Sequence, residues 1–260
     1  MAALLIMSGV TACGESQADK TTKLEAATAA LDSVLNTTEA PIKSLSISAD
    51  DANINVAATF GDSLLHADLL GEELMNYFVA GQIKQIKADV VNQVNRALDS
   101  SVGSLKLSLT DTWGNSFAIA YSAEDLRHLY KAKGSQLNVP MVKEQLVILL
   151  SNSLPTTKAN KDSKGITLSI DKGFLNYDIL FDKYQKFEKD RQGYITTLYF
   201  DLIKAQYASL GKLQTPIIDT MKELGIDGIR VTFVANDSDK ELKQAFPWRE
   251  IAKTASILIP

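Results

Sequence analysis

Cysteine is almost absent: Cys13 is the only one in 260 residues. No disulfide can form within one chain, and a structural zinc site built on thiolates is excluded with it. Histidine is nearly as scarce. His66 and His128 do not stand one helical turn apart, so no histidine-pair metal motif exists, and both are expected as surface or helix-end residues. The chain also lacks a Gly-x-Ser-x-Gly elbow, a phosphate-cradling glycine loop and a dinucleotide fingerprint, so no pattern calls for a cofactor. Gly103, Gly114, Gly225 and Gly228 fall at predicted turns or helix ends, where conformational freedom explains them without a ligand. A net charge of −4 argues against a general nucleic-acid binder, whose phosphate contacts need concentrated Lys and Arg. Past the first dozen residues, no apolar stretch approaches the roughly 20 needed to span a bilayer.

What is present begins at the N-terminus. Ala2 to Ala12 carry no charge and are too few for a permanent span, and they read as the apolar core of an export signal. Val10-Thr11-Ala12-Cys13 follows, with Gly14 after it. This segment resembles the lipobox of bacterial lipoproteins, and the resemblance implies that Cys13 is acylated and becomes the first residue of the mature chain. Such signals open with Lys or Arg, whereas the first charged residue here is Glu15, so a start upstream of Met1 is expected. The alternative, a buried N-terminal helix, fits poorly with the small, β-branched and glycine residues that collect before Cys13. Residues 14–22 are polar and read as a flexible tether. A lipid and a tether would hold a folded domain just off a membrane surface.

Beyond the tether, 45% hydrophobic and 22% charged residues match a soluble globular protein. Residues 23–36 suggest an amphipathic helix, and 45–48 and 53–58 are short alternating runs. A long helical stripe follows over 72–98, through Leu74, Phe78, Ile83, Ile86, Val90, Val94 and Ala97. Leu105, Leu107 and Leu109 alternate with polar residues, Asp111 to Asn115 form a turn, and Phe117, Ile119 and Tyr121 alternate again. Ser122-Ala123-Glu124-Asp125 then starts a helix.

The second half repeats this order. An offset of 123 carries Leu45, Ile47, Ile54, Val56 and Ala58 onto Leu168, Ile170, Tyr177, Ile179 and Phe181. An offset of 124 carries Leu74, Phe78, Ile83, Ile86, Val94 and Ala97 onto Leu198, Leu202, Tyr207, Leu210, Ile218 and Met221, and Leu105, Leu107 and Leu109 onto Ile229, Val231 and Phe233. An offset of 125 places Tyr121 on Phe246 and Leu126 on Ile251. Each slip falls in a loop, where insertions are tolerated. Thr215-Pro216 should kink or restart the second long helix, and Val139–Ser153 is a helix before the second unit.

The expected fold is therefore α+β: an internally duplicated ββαββα unit, with antiparallel hairpins in sheets each covered by a long helix. The divisions are a signal peptide over 1–12, a tether over 13–22, and repeats over 23–138 and 139–260. The repeats could be separate domains or share one continuous sheet.

Candidate chemistry is sparse. Asp50-Asp51-Ala52-Asn53 lacks the remainder of a calcium loop and reads as a polar turn. A hydrolase would need two carboxylates assembled by the fold, and 31 acidic residues leave that pair unspecified. The mixed-charge run Asp182 to Arg191 reads as a solvated connection. Trp113, at a hairpin tip, is the candidate for contact with a partner, with packing on its own hairpin as the alternative, and Trp248 is expected to be packed. Three readings follow. The first is a lipid-anchored structural or binding module of the cell envelope, on the outer membrane or cell surface, meeting a protein or carbohydrate there. The second is an envelope hydrolase. The third carries an apolar ligand between a sheet and its helices, a reading that requires an interior cavity.

Overall fold

A computed structural model describes residues 15–35, 42–61, 66–132, 137–153, 163–184, 219 and 221–249. Cys13, the Thr215-Pro216 step, most of the second long helix and the run from 185 to 191 lie outside the described residues.

The chain is a mixed α+β fold in which two pairs of hairpins build two four-stranded sheets. Helix α1 (Gln17–Leu35) leads into strands β1 (Ile42–Ala49) and β2 (Ile54–Phe60). Helices α2 (Glu72–Gln85) and α3 (Ala88–Ser101) cross over to β3 (Ser104–Thr110) and β4 (Ser116–Ser122), and α4 (Ala123–Lys131) follows. Helix α5 (Val139–Ser153) then opens the second unit of β5 (Ser163–Asp171), β6 (Phe174–Phe181), β7 (Gly228–Ala235) and β8 (Ser238–Pro247). Each unit forms its own four-stranded sheet, ordered β1-β2-β3-β4 and β5-β6-β7-β8. The outer pairs are antiparallel hairpins and the central pair is parallel, which a crossover connection requires.

Three expectations are corrected. Residues 17–22, read as tether, are the first turns of α1, where Thr21 and Thr22 hydroxyls donate back to Gln17 and Ala18 carbonyls. The long helix of the first unit is two helices, broken at Ile86 and Lys87 in extended backbone. The break lets α2 serve two surfaces. Its first half, with Leu74, Met75 and Tyr77, enters a core shared with the second unit, while Ala80 and Ile83 belong to the first unit's own core with α3.

The third correction concerns register. Across the first sheet Ala49, Ile54, Leu105 and Tyr121 share a row, and across the second Ile170, Leu175, Ile229 and Phe246 do. Ile54 thus corresponds to Leu175 and Val56 to Tyr177, an offset of 121 for the first hairpin, while 124 and 125 hold for the other two strands. A slip of two residues leaves every side chain on the same face, so apolar alternation cannot distinguish 121 from 123.

The units do not share a sheet, but they share a core. Leu74 of α2, Val142 and Leu146 of α5, and Tyr177, Ile179 and Phe233 of the second sheet form one buried cluster. Polar links cross the same junction. The Gln145 side-chain oxygen on α5 accepts the Leu74 N–H at 2.8 Å, capping the first turn of α2 where Gly71 offers no side chain. The Tyr77 hydroxyl donates to Glu223 at 2.9 Å, and burial, with Glu223 beside it, pushes the phenol well above its ordinary pKa.

Candidate ligand cavity

The inner face of the first sheet is not filled. Between it and helices α1, α2, α3 and α4 lies a cavity of about 230 Å³. Val56, Leu105, Leu107 and Tyr121 form its sheet wall. Leu31 and Leu35 of α1, Met75 to Ile83 on one face of α2, Val91 and Val94 of α3, and Leu126 of α4 close it. Its wall is almost wholly apolar, with Gln82 the polar side chain at an exposed position, beside the break at Ile86.

Comparison of the two repeats shows how the cavity arises. The row equivalent of Val56 is Tyr177, and that of Ala58 is Ile179; both are buried and larger than their counterparts. On the central strands, Ile229 and Val231 are 2% and 1% exposed, whereas their equivalents Leu105 and Leu107 remain partly accessible. The equivalent rows of the second sheet thus carry larger buried side chains than those that border the cavity in the first.

Tyr121 marks a second difference. Its row equivalent is Phe246, and its hydroxyl is buried with no hydrogen-bond partner among the described residues. Burial, together with the charges of Glu72 and Asp125, raises its pKa, so it stays protonated. Tyr121→Phe is expected to stabilise the protein by about 1 kcal/mol, because it removes a desolvated, unpaired hydroxyl and restores the residue type of the sister strand. A higher urea midpoint at unchanged slope is the expected result.

The residues singled out from sequence gather elsewhere, at the β3–β4 turn. His66 stacks on Trp113 with ring centroids 4.2 Å apart and planes within 6°, and Trp113 remains half exposed. His66 stands at the start of a short helical turn, Ala67–Leu69, and its donor atoms lie within 4.8 Å of those of Asp68 and Asp111. The sequence pattern missed this group because its members are 45 residues apart along the chain and meet only across the sheet edge. It fits neither a metal nor an acid pair. The four lone-pair positions of the Asp111 carboxylate are filled by the N–H groups of Ala67, Trp113 and Asn115 and by the Asn115 amide. Burial would raise the Asp111 pKa, but these donors outweigh it and hold the carboxyl below its ordinary range. This is a structural clamp.

Of the other candidates, His128 lies in the last turn of α4 and its carbonyl accepts the Ala132 N–H. Trp248 is buried, and its indole donates to the Ile226 carbonyl. Asp50 accepts the backbone N–H groups of Ala52 and Asn53 and the amides of Asn53 and Asn55, which makes it a turn residue held well below the usual carboxylate range by those bonds. Compared with family models, curated proteins and solved structures, the chain matches none.

Proposed function

We propose that this protein is a lipid-anchored lipoprotein of the bacterial cell envelope that binds an apolar ligand in the hollow of its first repeat. The observation that carries the ligand reading is the cavity against the first sheet, lined almost wholly by apolar side chains. At the equivalent rows of the second sheet, Tyr177 and Ile179 stand in place of Val56 and Ala58. The anchor reading rests on Val10 to Cys13 and on Cys13 being the one thiol. Together they describe a domain tethered at a membrane surface, where apolar molecules are concentrated.

The two parts are tested separately. Cys13→Ser should abolish incorporation of labelled palmitate and move the protein from the membrane to the soluble fraction; unchanged labelling removes the anchor. For the cavity, the Cys13→Ser chain, purified without added lipid, is heated with a panel of linear, branched and aromatic apolar compounds. A bound ligand raises the melting temperature by mass action. At least one compound should do so in the wild-type cavity and fail to do so in Val56→Phe. A panel without any such compound overturns the ligand reading.

A further inference from the structure

The last strands of the two sheets, β4 and β8, differ in how they face a possible partner. The register makes Glu241, Lys243 and Pro247 of β8 the equivalents of Ser116, Ala118 and Ser122 of β4. Charge, proline and bulges are the devices that keep an outer strand from pairing with another chain. At the opposite edge of the first sheet, β1 carries Lys43 and a bulge between Ile42 and Ser44. Strand β4 has none of them: Ser116-Phe117-Ala118-Ile119-Ala120-Tyr121-Ser122 is uncharged and pairs with β3 in unbroken register. Among the described residues no strand lies on its other side.

The backbone of this edge is available. The Asp111 N–H donates to the Asn115 carbonyl at the base of the hairpin, so the odd-numbered residues of β4 turn their N–H and C=O toward β3 and the even-numbered ones turn outward. The outward Ser122 N–H is taken by the Asp125 carboxylate at 2.8 Å, whereas the N–H and C=O of Ala118 and Ala120 have no partner among the described residues. Lys106, which stands opposite Ala120 on β3, reaches back to Asp50 at 3.9 Å and leaves the alanines exposed. The strand is also a palindrome by residue type, with serine at both ends, an aromatic next, then alanine, and Ile119 at the centre. Antiparallel pairing of two such strands about Ile119 sets Ser116 against Ser122, Phe117 against Tyr121, Ala118 against Ala120 and Ile119 against itself. A twofold contact requires that self-complementarity.

We propose that β4 is the docking edge for a second copy of this chain, the two strands pairing antiparallel about a twofold axis at Ile119 and joining the first sheets into one. Ala118 and Ala120 exchange N–H to C=O hydrogen bonds with Ala120 and Ala118 of the second copy, and the capping box at Ser122 ends the ladder. On the inner face the half-buried Phe117 and Ile119 gain cover from the second copy. No charge within the strand opposes the approach. The contact closes on itself, so the product is a dimer, and the bulged, charged β1 edge does not extend it into a filament. Such pairing needs neither the lipid anchor nor a cavity ligand.

The test is sedimentation equilibrium of the Cys13→Ser chain, in which no thiol can link two copies. Its mass should rise from one chain to two across the micromolar range, the affinity of a small interface. Ile119→Lys sets like charges against each other on the axis and should weaken dimerisation about ten-fold or more, as should Ile119→Glu. Mixing these two variants pairs Lys with Glu and should restore the dimer, which damage to the fold would not allow. Ala118→Pro removes the outward N–H alone, as an edge strand tolerates, and should weaken the dimer with native circular dichroism. A chain that stays monomeric up to about 0.5 mM, where a micromolar Kd gives nearly complete dimer, overturns self-pairing and leaves the edge to a strand of another protein. A dimer unaffected by the Ile119 and Ala118 variants lies elsewhere on the surface and overturns it. Failure of the mixture to recover, or growth beyond two chains, overturns the twofold at Ile119.

Discussion

Asp111→Ala is expected to destabilise the protein by about 3 kcal/mol, among the largest effects available to a single polar substitution. Asp111 is 3% exposed, and its carboxylate accepts four N–H donors. Truncation leaves those donors without their acceptor, among them the buried Ala67 N–H that ties the chain leaving β2 to the β3–β4 turn. The second unit has a counterpart, where Asp237 in the β7–β8 turn accepts the Tyr184 N–H at 2.7 Å after β6. Asp111→Asn keeps an acceptor oxygen and should lose about half as much. The pH dependence follows from the sign of the shift. The folded pKa lies below the ordinary value of 3.8, so the contribution is complete above that value and disappears as pH falls through the lower folded one. Denaturant midpoints between pH 7 and pH 2 should therefore show a shallower acid limb in Asp111→Ala than in the parent. Asp50, shifted in the same direction, supplies part of the limb that remains.

Gly103→Ala should cost about 3 kcal/mol or more, and here the cause is backbone. A Cβ at this position would lie 1.7 Å from the Ala52 carbonyl oxygen, which no side-chain movement relieves. That carbonyl belongs to the β1–β2 turn, which is stitched to the end of α3 and the start of β3: the Ser101 hydroxyl donates to Ala52 at 2.7 Å, and Asn53 accepts from the Ser104 N–H at 3.0 Å. Opening the gap for one methyl group disturbs all of these. Gly114→Ala is the matched control. Nothing lies within 4 Å of a Cβ there, and the cost is confined to the positive φ of 89°, about 1–2 kcal/mol. Thermal unfolding of the two variants side by side separates close approach from dihedral preference.

Much of the architecture was legible in the sequence because alternation and helical period survive divergence. The hairpin rows, the Ser122 cap with its Asp125 partner, and the turns at Asp50 and Asp111 follow from local residue chemistry. The break at Ile86 was not legible, since no proline or glycine marks it. Its cause is tertiary: α2 turns to meet α5, a partner more than fifty residues downstream. The offset of the first hairpin was misread by two for the reason that parity hides it. The cavity could not be read at all from one strand. It emerges only when Val56 is set against Tyr177, a comparison that needs the true register. Trp113 stands in the β3–β4 turn where its sequence placed it, but its partner His66 reaches it from across the sheet edge.

The junction between the repeats has a thermodynamic corollary. Leu74, Val142, Leu146 and Tyr177 are buried together, and the first turn of α2 takes its cap from Gln145 on the far side of the 138/139 boundary. A fragment ending at that boundary would lose the cap and open the face of α2 to water. The duplicated halves are thus no longer separable folding units, and they should melt in one cooperative transition in place of two. A ligand that bound against the first sheet would then stabilise the second unit by the same free energy.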